Sequence, residues 1–169
     1  YRTIDSQPIE TLFQKIGRKY QKALKEGEEK YMNGEWLKQN VAFSGEVWMG
    51  HLRYGTHGKN NIENCHPFLR QNNWRSRNLV VAGNFNMTNV DELFEKLIEL
   101  GQHPKEKVDT VTAMEKIGHF LDEENERIFQ KHKKTHSKSE LTQLIEEEID
   151  LQRVLNRSCK DFDGGYAIT

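Results

Sequence analysis

The chain has 169 residues and a formal net charge of −1, which suits one domain with its own core. This charge gives no general attraction to nucleic acid or to an anionic membrane, and no apolar run approaches the ~18 residues of a membrane span. The 2 cysteines provide no disulfide framework, so we expect a cytoplasmic protein. These features argue against membrane-spanning, nucleic-acid-binding and disulfide-rich proteins.

The first predicted element is a helix over residues 8–26, where apolar side chains recur at helical spacing after Pro8. The stretch GEVWMGHLRY, residues 45–54, has apolar side chains at both odd and even positions. It therefore predicts a strand with both faces largely covered. A loop rich in Gly and Asn follows this strand.

A second strand is predicted for NLVVAG, residues 78–83. The helix VDELFEKLIEL is predicted after it, because Asn89 with Glu92 is a capping signal and Gly101 is a stop signal. A further helix is predicted to start at Asp109, where apolar residues again recur at helical spacing.

The last third of the chain is dense in Glu and Lys. Residues 122–160 have one apolar face, which predicts a charged helical excursion on the surface, with subunit contact as an alternative role. DFDGGYAIT, residues 161–169, predicts a final strand. Because the chain starts at Tyr1 and ends in an apolar segment, we expect a fragment that is truncated at both ends.

Charged and polar side chains suggest a site for a small ligand. Arg53 lies at the end of the predicted strand, directly before a loop that contains Thr56 and His57. A guanidinium grips a carboxylate with two parallel hydrogen bonds, although a structural ion pair is the alternative for Arg53. Asp109 either caps its helix or faces an ammonium group, so Arg53 and Asp109 together would match a free amino acid.

The segment after the second strand suggests acyl chemistry. If Asn84 ends a buried strand, its side-chain amide and the backbone N–H of Phe85 point into the same space, as in an oxyanion hole. Such a hole needs a nucleophile. Cys65 precedes His66, but adjacent residues of an extended segment point in opposite directions, which argues against a dyad. We expect Cys65 to be an inert thiol, and Cys159, Ser44 and Thr56 are the other candidates.

Metal binding is weakly indicated. Three histidines and one cysteine are available, yet their spacing fits no structural zinc pattern, and no glycine loop for phosphate is present. We therefore predict no metal and no cofactor in this chain. The residues in question are His51, His57, Cys65 and His66.

Several motifs, in order, resemble the class II glutamine amidotransferase domain: GHLRYGTHG with NCHPF, NLVVAGNFNMTNVDEL, VDTV and DGGYAI. The resemblance covers about residues 45–121 and 161–169, and its wording is most similar to the amidophosphoribosyltransferases. It implies an α+β fold, namely the four-layer αββα sandwich of the N-terminal-nucleophile hydrolases. Residues 1–169 would be a partial domain of this type.

The resemblance also implies roles for the candidate residues. Arg53 would hold the α-carboxylate of glutamine, with Thr56 and His57 lining that side of the pocket. Asp109 would hold the α-amino group. The oxyanion hole would be formed by the Asn84 side-chain amide and the Phe85 backbone N–H.

The chain departs from the family at three points. The family nucleophile is a mature N-terminal Cys, whereas this chain starts with Tyr1. The family usually reads His-Asn-Gly at the hole, and this chain reads Gly-Asn-Phe over residues 83–85. The family motif Ser-Asp-Thr-Glu is Val-Asp-Thr-Val over residues 108–111, which keeps Asp109 and loses its neighbours.

The implied function is the glutaminase domain of an amidophosphoribosyltransferase. That enzyme converts glutamine and phosphoribosyl pyrophosphate to phosphoribosylamine, glutamate and pyrophosphate in purine synthesis. We expect its phosphoribosyltransferase domain, with Mg²⁺, to lie outside this chain, the protein to be a homo-oligomer, and the fragment alone to be inactive. The alternatives are the amidotransferase half of glucosamine-6-phosphate synthase or a relative, and a non-catalytic glutamine-binding or regulatory module.

Overall fold

The computed structural model of the chain describes residues 1–26, 33–52, 61–104 and 106–169. The chain divides into two compact units, Tyr1–His66 and Pro67–Thr169. Within the described residues, the first unit contains helices alone, whereas the second contains helices and strands. No helix in these ranges is long and apolar enough to cross a membrane.

The first unit contains two α-helices and one 3₁₀ turn in its described residues. Helix α1 spans Pro8–Glu26 and confirms the predicted bounds. Helix α2 spans Gly34–Asn40, and its start is capped by the side chain of Asn33, which accepts a hydrogen bond from Glu35 N–H at 2.9 Å. The 3₁₀ turn is Ile62–Asn64.

The strand predicted over residues 45–54 is wrong for residues 45–52, which form no strand. The side chain of Val47 is 92% exposed, so the predicted cover is also missing. A strand is stabilised by the backbone of a neighbouring strand, and the described part of the first unit contains no other strand. The apolar pattern alone therefore did not decide the local structure.

The second unit contains two antiparallel pairs of strands. Strand β1 (Phe68–Arg70) pairs with β2 (Leu79–Val81), which confirms the strand predicted in NLVVAG. Strand β3 (Gly83–Met87) pairs with β4 (Gly164–Ile168), which confirms the final predicted strand. A 3₁₀ turn lies between β1 and β2.

The two ladders share one extended segment. Ala82 lies between β2 and β3, and it exchanges backbone hydrogen bonds with Thr169 at 2.9 and 2.8 Å. Residues 79–87 therefore run without a break from one pair of strands into the other.

The helices of the second unit are α3 (Val90–Glu99), α4 (Asp109–His132), α5 (Lys138–Glu148) and α6 (Leu151–Cys159). Helix α4 is central, because α3, α5, α6 and the strands β1, β2 and β3 all pack against it. Gly101 follows α3 with φ +82°, in the left-handed conformation that ends helices, as predicted.

The core of the second unit lies along α4. One cluster joins Phe68, Val81 and Met114, and another joins Ile117, Leu121 and Val154. The helices in residues 122–160 place their apolar faces against α4, and their buried side chains are Leu141, Ile145 and Val154.

A glycine lets one arginine cross the central helix. Arg70 Nε lies 3.0 Å from Glu115 Oε2, and its Nη2 lies 2.6 Å from Asp122 Oδ2. A Cβ at Gly118, between these two acids on α4, would lie 2.4 Å from Arg70 Cδ. The guanidinium therefore ties β1 to α4 through charge-assisted hydrogen bonds that only a glycine at this position permits.

The mixture of helices and small antiparallel sheets is the expected α+β class. Each sheet has two strands in the described residues. The described residues therefore contain helices and strands of an α+β domain, and the four stacked layers of an αββα sandwich stay a prediction.

Candidate active site

Strand β3 carries the two residues that were predicted to form an oxyanion hole. Its side chains alternate, so that Asn84 and Asn86 are exposed while Phe85 and Met87 are half-buried. Phe85 packs on the cluster of Phe68, Val81 and Met114. The Asn84 carboxamide therefore lies on the exposed face of the strand and Phe85 on the core face.

The ladder also fixes the direction of the backbone groups. Ala82 and Thr169 form a hydrogen-bonded pair, and such pairs recur at every second residue of an antiparallel ladder. Asn84 opposite Ala167 is the next one, whereas Phe85 opposite Tyr166 is not. The backbone N–H of Phe85 is therefore directed toward the edge of β3 that lies away from β4.

This placement corrects one premise of the prediction. Asn84 was expected at the end of the strand NLVVAG, but β2 ends at Val81 and Asn84 lies inside β3. A second ladder, between β3 and β4, starts at Gly83, and the local apolar pattern did not predict it. The Asn84 carboxamide on the exposed face and the Phe85 N–H directed away from β4 are still neighbouring donors on one strand.

Phe85 lies over a glycine. A Cβ added at Gly83 would be 2.8 Å from Phe85 Cε2 and 2.4 Å from the backbone oxygen of Ala167. Residues 83 and 85 share one face of the strand, so the aromatic ring occupies the space next to Gly83. Gly-Asn-Phe thus places its one large side chain at the third position, where the family usually has glycine.

Asp109 is the first residue of α4. Its Oδ1 accepts a hydrogen bond from Thr110 N–H at 2.7 Å, and a carboxylate is favoured at the positive end of a helix. This contact is not the capping role that was the alternative for Asp109, because the N-cap residue of α4 is Val108 and no side chain caps there. Val111, two residues on, packs on the same cluster as Phe85, so the start of α4 lies near the middle of β3.

Three predicted site residues, Arg53, Thr56 and His57, lie outside the described residues, and their roles stay predictions. Nearby in the first unit, the ring of His51 stacks on that of His66 with centroids 4.5 Å apart. The described residues contain no group of three or more His, Cys, Asp or Glu side chains arranged to hold a metal ion.

The two cysteines have different environments. Burial is the main cause that raises the pKa of Cys159, although Lys116 and Tyr166 oppose it. The Sγ of Cys65 lies 3.7 Å from the carbonyl oxygen of Asn61 and 3.8 Å from that of Thr3. The environment of Cys159 therefore disfavours the thiolate that a nucleophile needs, and the inert role of Cys65 stays a prediction.

Asn89 does not act as predicted. It occupies the N-cap position of α3, but its side chain makes no capping hydrogen bond. Its Nδ2 instead donates to the backbone oxygen of Asp161 at 2.8 Å, and its Oδ1 accepts from Asp163 N–H at 3.2 Å. These partners are 72 and 74 residues away, so a local capping signal could not identify them.

An ion pair with a buried lysine adjoins these contacts and was not predicted. Lys116 on α4 is buried, and its Nζ lies 3.1 Å from Asp161 Oδ2. The Lys116 ammonium is the main cause that lowers the pKa of Asp161. Lysine in an amphipathic helix usually faces solvent, so the sequence carries no signal for this pair.

Comparison with known proteins identifies the family. The family of class-II glutamine amidotransferases matches residues 19–156, which is most of the chain. The chain therefore belongs to the class-II glutamine amidotransferases.

Two proteins named glutamine–fructose-6-phosphate aminotransferase (isomerizing) are similar to the chain. That of Streptococcus pneumoniae serotype 4 (strain ATCC BAA-334 / TIGR4) is 32% identical over 100 residues, which is 59% of this chain. That of strain ATCC BAA-255 / R6 is 31% identical over 100 residues, again 59% of this chain. The match spans 16% of the length of each relative, and no solved structure matches the chain.

The relatives bear on the predicted function. They confirm the family and support the glucosamine-6-phosphate synthase alternative better than the amidophosphoribosyltransferase. The acceptor predicted from motif wording is therefore not confirmed.

Proposed function

We propose that this chain is the glutamine-hydrolysing part of an amidotransferase and supplies ammonia to a synthase domain of the same protein. The observation that carries the proposal is the family match over residues 19–156. The arrangement of Asn84 and Phe85 on β3 supports it, because the Asn84 side chain lies on the exposed face of the strand and the Phe85 backbone N–H is directed away from β4.

In the proposed reaction, a thiolate attacks the side-chain carbonyl carbon of glutamine. The carbonyl oxygen becomes an oxyanion, which accepts hydrogen bonds from Asn84 Nδ2 and the Phe85 backbone N–H. The α-ammonium of the nucleophilic Cys, which took the proton of the thiol, returns it to the amide nitrogen, and collapse of the intermediate expels ammonia and leaves a thioester. Water then attacks the thioester and releases glutamate.

The nucleophile in this proposal lies outside the chain. The family uses an N-terminal Cys whose own α-amine acts as base, and burial raises the pKa of the Cys159 thiol. The chain alone should then bind glutamine without hydrolysing it.

Glutamine would be held by its two charged ends. Arg53 binds the α-carboxylate, with Thr56 and His57 beside it, and Asp109 binds the α-amino group. The exposed orientation of Asn84, together with the position of α4 next to β3, supports this arrangement for Asp109. Asp109 Oδ1 is used by Thr110, so Asp109 Oδ2 is the oxygen assigned to the ligand.

The proposed acceptor is fructose 6-phosphate, because both similar proteins are named for that reaction. Phosphoribosyl pyrophosphate is the second candidate, favoured by the wording GHLRYGTHG and GNFNMTN in this chain. We further propose that the intact domain has the four-layer αββα fold, that the protein is a homo-oligomer, and that any Mg²⁺ requirement belongs to the synthase domain.

The oxyanion role is tested by Asn84→Ala in the natural full-length protein. Loss of one oxyanion donor should lower kcat for glutamate release by roughly 10²–10³. Asn86→Ala is the matched control, because Asn86 has the same side chain on the same exposed face, and its kcat should stay near normal. A near-normal kcat for Asn84→Ala would place the hole elsewhere.

The acceptor is tested by glutamate release from the full-length protein in the presence of fructose 6-phosphate or of phosphoribosyl pyrophosphate. We expect fructose 6-phosphate to increase the rate. An increase with the phosphoribosyl donor alone would establish the second candidate. Silence with both, from a folded protein, would favour a binding module that has lost the reaction.

A further inference from the structure

We propose that Asn89 is a positioning residue for the oxyanion hole, which it serves by locking the end of β3 to the segment that leads into β4. The inference rests on the proposed function of Asn84 and Phe85. Asn89 itself would touch no substrate, and it acts through the backbone of the strand pair.

The Asn89 carboxamide makes two hydrogen bonds to the segment that leads into β4. Its amide donates to the carbonyl of Asp161, and its oxygen accepts from the N–H of Asp163. One side chain therefore replaces a ladder hydrogen bond on each of two alternate residues. Since Asn89 follows β3 by two positions, this contact extends the pairing of β3 and β4 beyond its last regular pair.

Thr88 reinforces the contact between the end of β3 and the segment that leads into β4. Its backbone N–H donates to Asp163 O at 3.0 Å, and its Oγ1 donates to Asp163 Oδ2 at 2.5 Å. Gly164 follows with φ +106°, and a Cβ there would lie 2.3 Å from Asn86 O. The chain can therefore enter β4 this close to β3 only with glycine at this position.

The same contact is connected to the central helix α4. Asp161, which accepts from Asn89 through its backbone, accepts from the buried Lys116 of α4 through its side chain. The end of β3 is thus attached to α4 through Asn89, Asp161 and Lys116. Phe85, in the middle of β3, is attached to α4 separately through its core cluster.

If the Asn89 bonds are lost, the end of β3 keeps the Thr88 bonds to Asp163 and loses its link to Asp161, which is bound to Lys116. We expect β3 then to shift relative to α4, which moves the Asn84 amide and the Phe85 N–H relative to the glutamine carbonyl. A displacement of about 1 Å at a reacting group can cost on the order of 10²-fold in rate. Asn89 should therefore affect kcat and not the KM for glutamine, whose charged ends are held elsewhere.

The test uses Asn89→Ala in the natural full-length protein, with Ser137→Ala as the control. Ser137 also lies at an N-cap position of the second unit and loses a real capping box, but it starts α5 and has no part in β3 or β4. We expect Asn89→Ala to lower kcat about tenfold or more with KM nearly unchanged. Ser137→Ala should leave both constants near normal.

A double-mutant cycle separates positioning from general support of the fold. If Asn89 acts through the hole, Asn84→Ala with Asn89→Ala should be little worse than Asn84→Ala alone, because coupled residues are not additive. Additive losses, or a kcat for Asn89→Ala that matches Ser137→Ala, would overturn the proposal.

Amide hydrogen exchange gives a readout that does not depend on activity. Asn89→Ala should speed exchange at residues 164–169 by about tenfold or more, and Ser137→Ala should not. Unchanged exchange would overturn the locking role. Faster exchange together with a near-normal kcat for Asn84→Ala would instead show that Asn89 holds the strands together and that the proposed oxyanion hole is wrong.

Discussion

The two units of the chain show opposite outcomes for similar apolar patterns. In the second unit, residues 67–169, most of the buried apolar side chains of the described residues lie on α4 or on the elements packed against it. In the first unit, residues 1–66, the apolar residues of 45–52 stay exposed, and α1 exposes Phe13. The sequences of both units contain comparable apolar stripes.

The difference shows that an apolar stripe becomes core only where its partner is present. Helix α4 contacts three helices and three strands, so each neighbouring stripe has a surface to cover. The segment 45–52 has no partner strand among the described residues of its own unit. Stability should therefore be concentrated along α4 in the second unit.

Truncating a core residue of α4 should have the largest effect. The side chain of Ile128 is 0% exposed, so Ile128→Ala should lower the free energy of unfolding by about 2–5 kcal/mol. Val47→Ala, at a 92% exposed residue of the first unit, should change it by less than about 0.5 kcal/mol. Urea unfolding of the two variants measures both values, and similar losses would contradict the comparison.

Adding one methyl group to a helix glycine should have opposite signs in the two units. Gly118→Ala should destabilise by about 1–3 kcal/mol, because its Cβ would overlap Arg70. Gly17→Ala in α1 meets nothing within 4 Å and should stabilise by roughly 0.5–1 kcal/mol through helix propensity. Thermal unfolding decides the signs, and a stabilised Gly118→Ala would mean that Arg70 can move aside without loss.

The smallest predicted effect is a dependence on pH. Lys116 lowers the pKa of Asp161, so the folded state favours the ionised carboxylate. Its stabilisation is complete above the unfolded pKa of about 3.9 and is lost as the pH falls through the lower folded value. The effect is small because the side chain of Asp161 is 40% exposed.

Asp161→Asn tests this dependence. Between pH 5 and pH 2, the variant should lose less stability than the unmodified protein, as urea unfolding at each pH would show. Equal losses would mean that the Lys116–Asp161 pair contributes nothing to acid sensitivity.

Local sequence signals correctly predicted the helix bounds that depend on neighbouring residues. The span of α1, the stop at Gly101 and the start of α4 at Asp109 all follow from helix periodicity and termination. The change of partner strand between β2 and β3 was missed because it depends on β4, which is distant in the sequence.

The same limit applies to the candidate site. Asn84 and Phe85 were predicted from a short motif, and their role stays a proposal, whereas the capping role of Asn89 was wrong because its partners follow long after it in the chain. Lys116 was missed altogether, since burial of a charge beside Asp161 requires the assembled fold.

The crowding at Gly83 also couples the Gly-Asn-Phe motif to the spacing of two strands. A side chain at residue 83 would meet the Phe85 ring at 2.8 Å and, more closely, the backbone oxygen of Ala167 at 2.4 Å. A smaller residue at position 85 alone would therefore not make room for a histidine at position 83, because β4 would also have to move away from β3. An exchange of this motif for the usual His-Asn-Gly thus requires a change in the strand pair as well as in the motif.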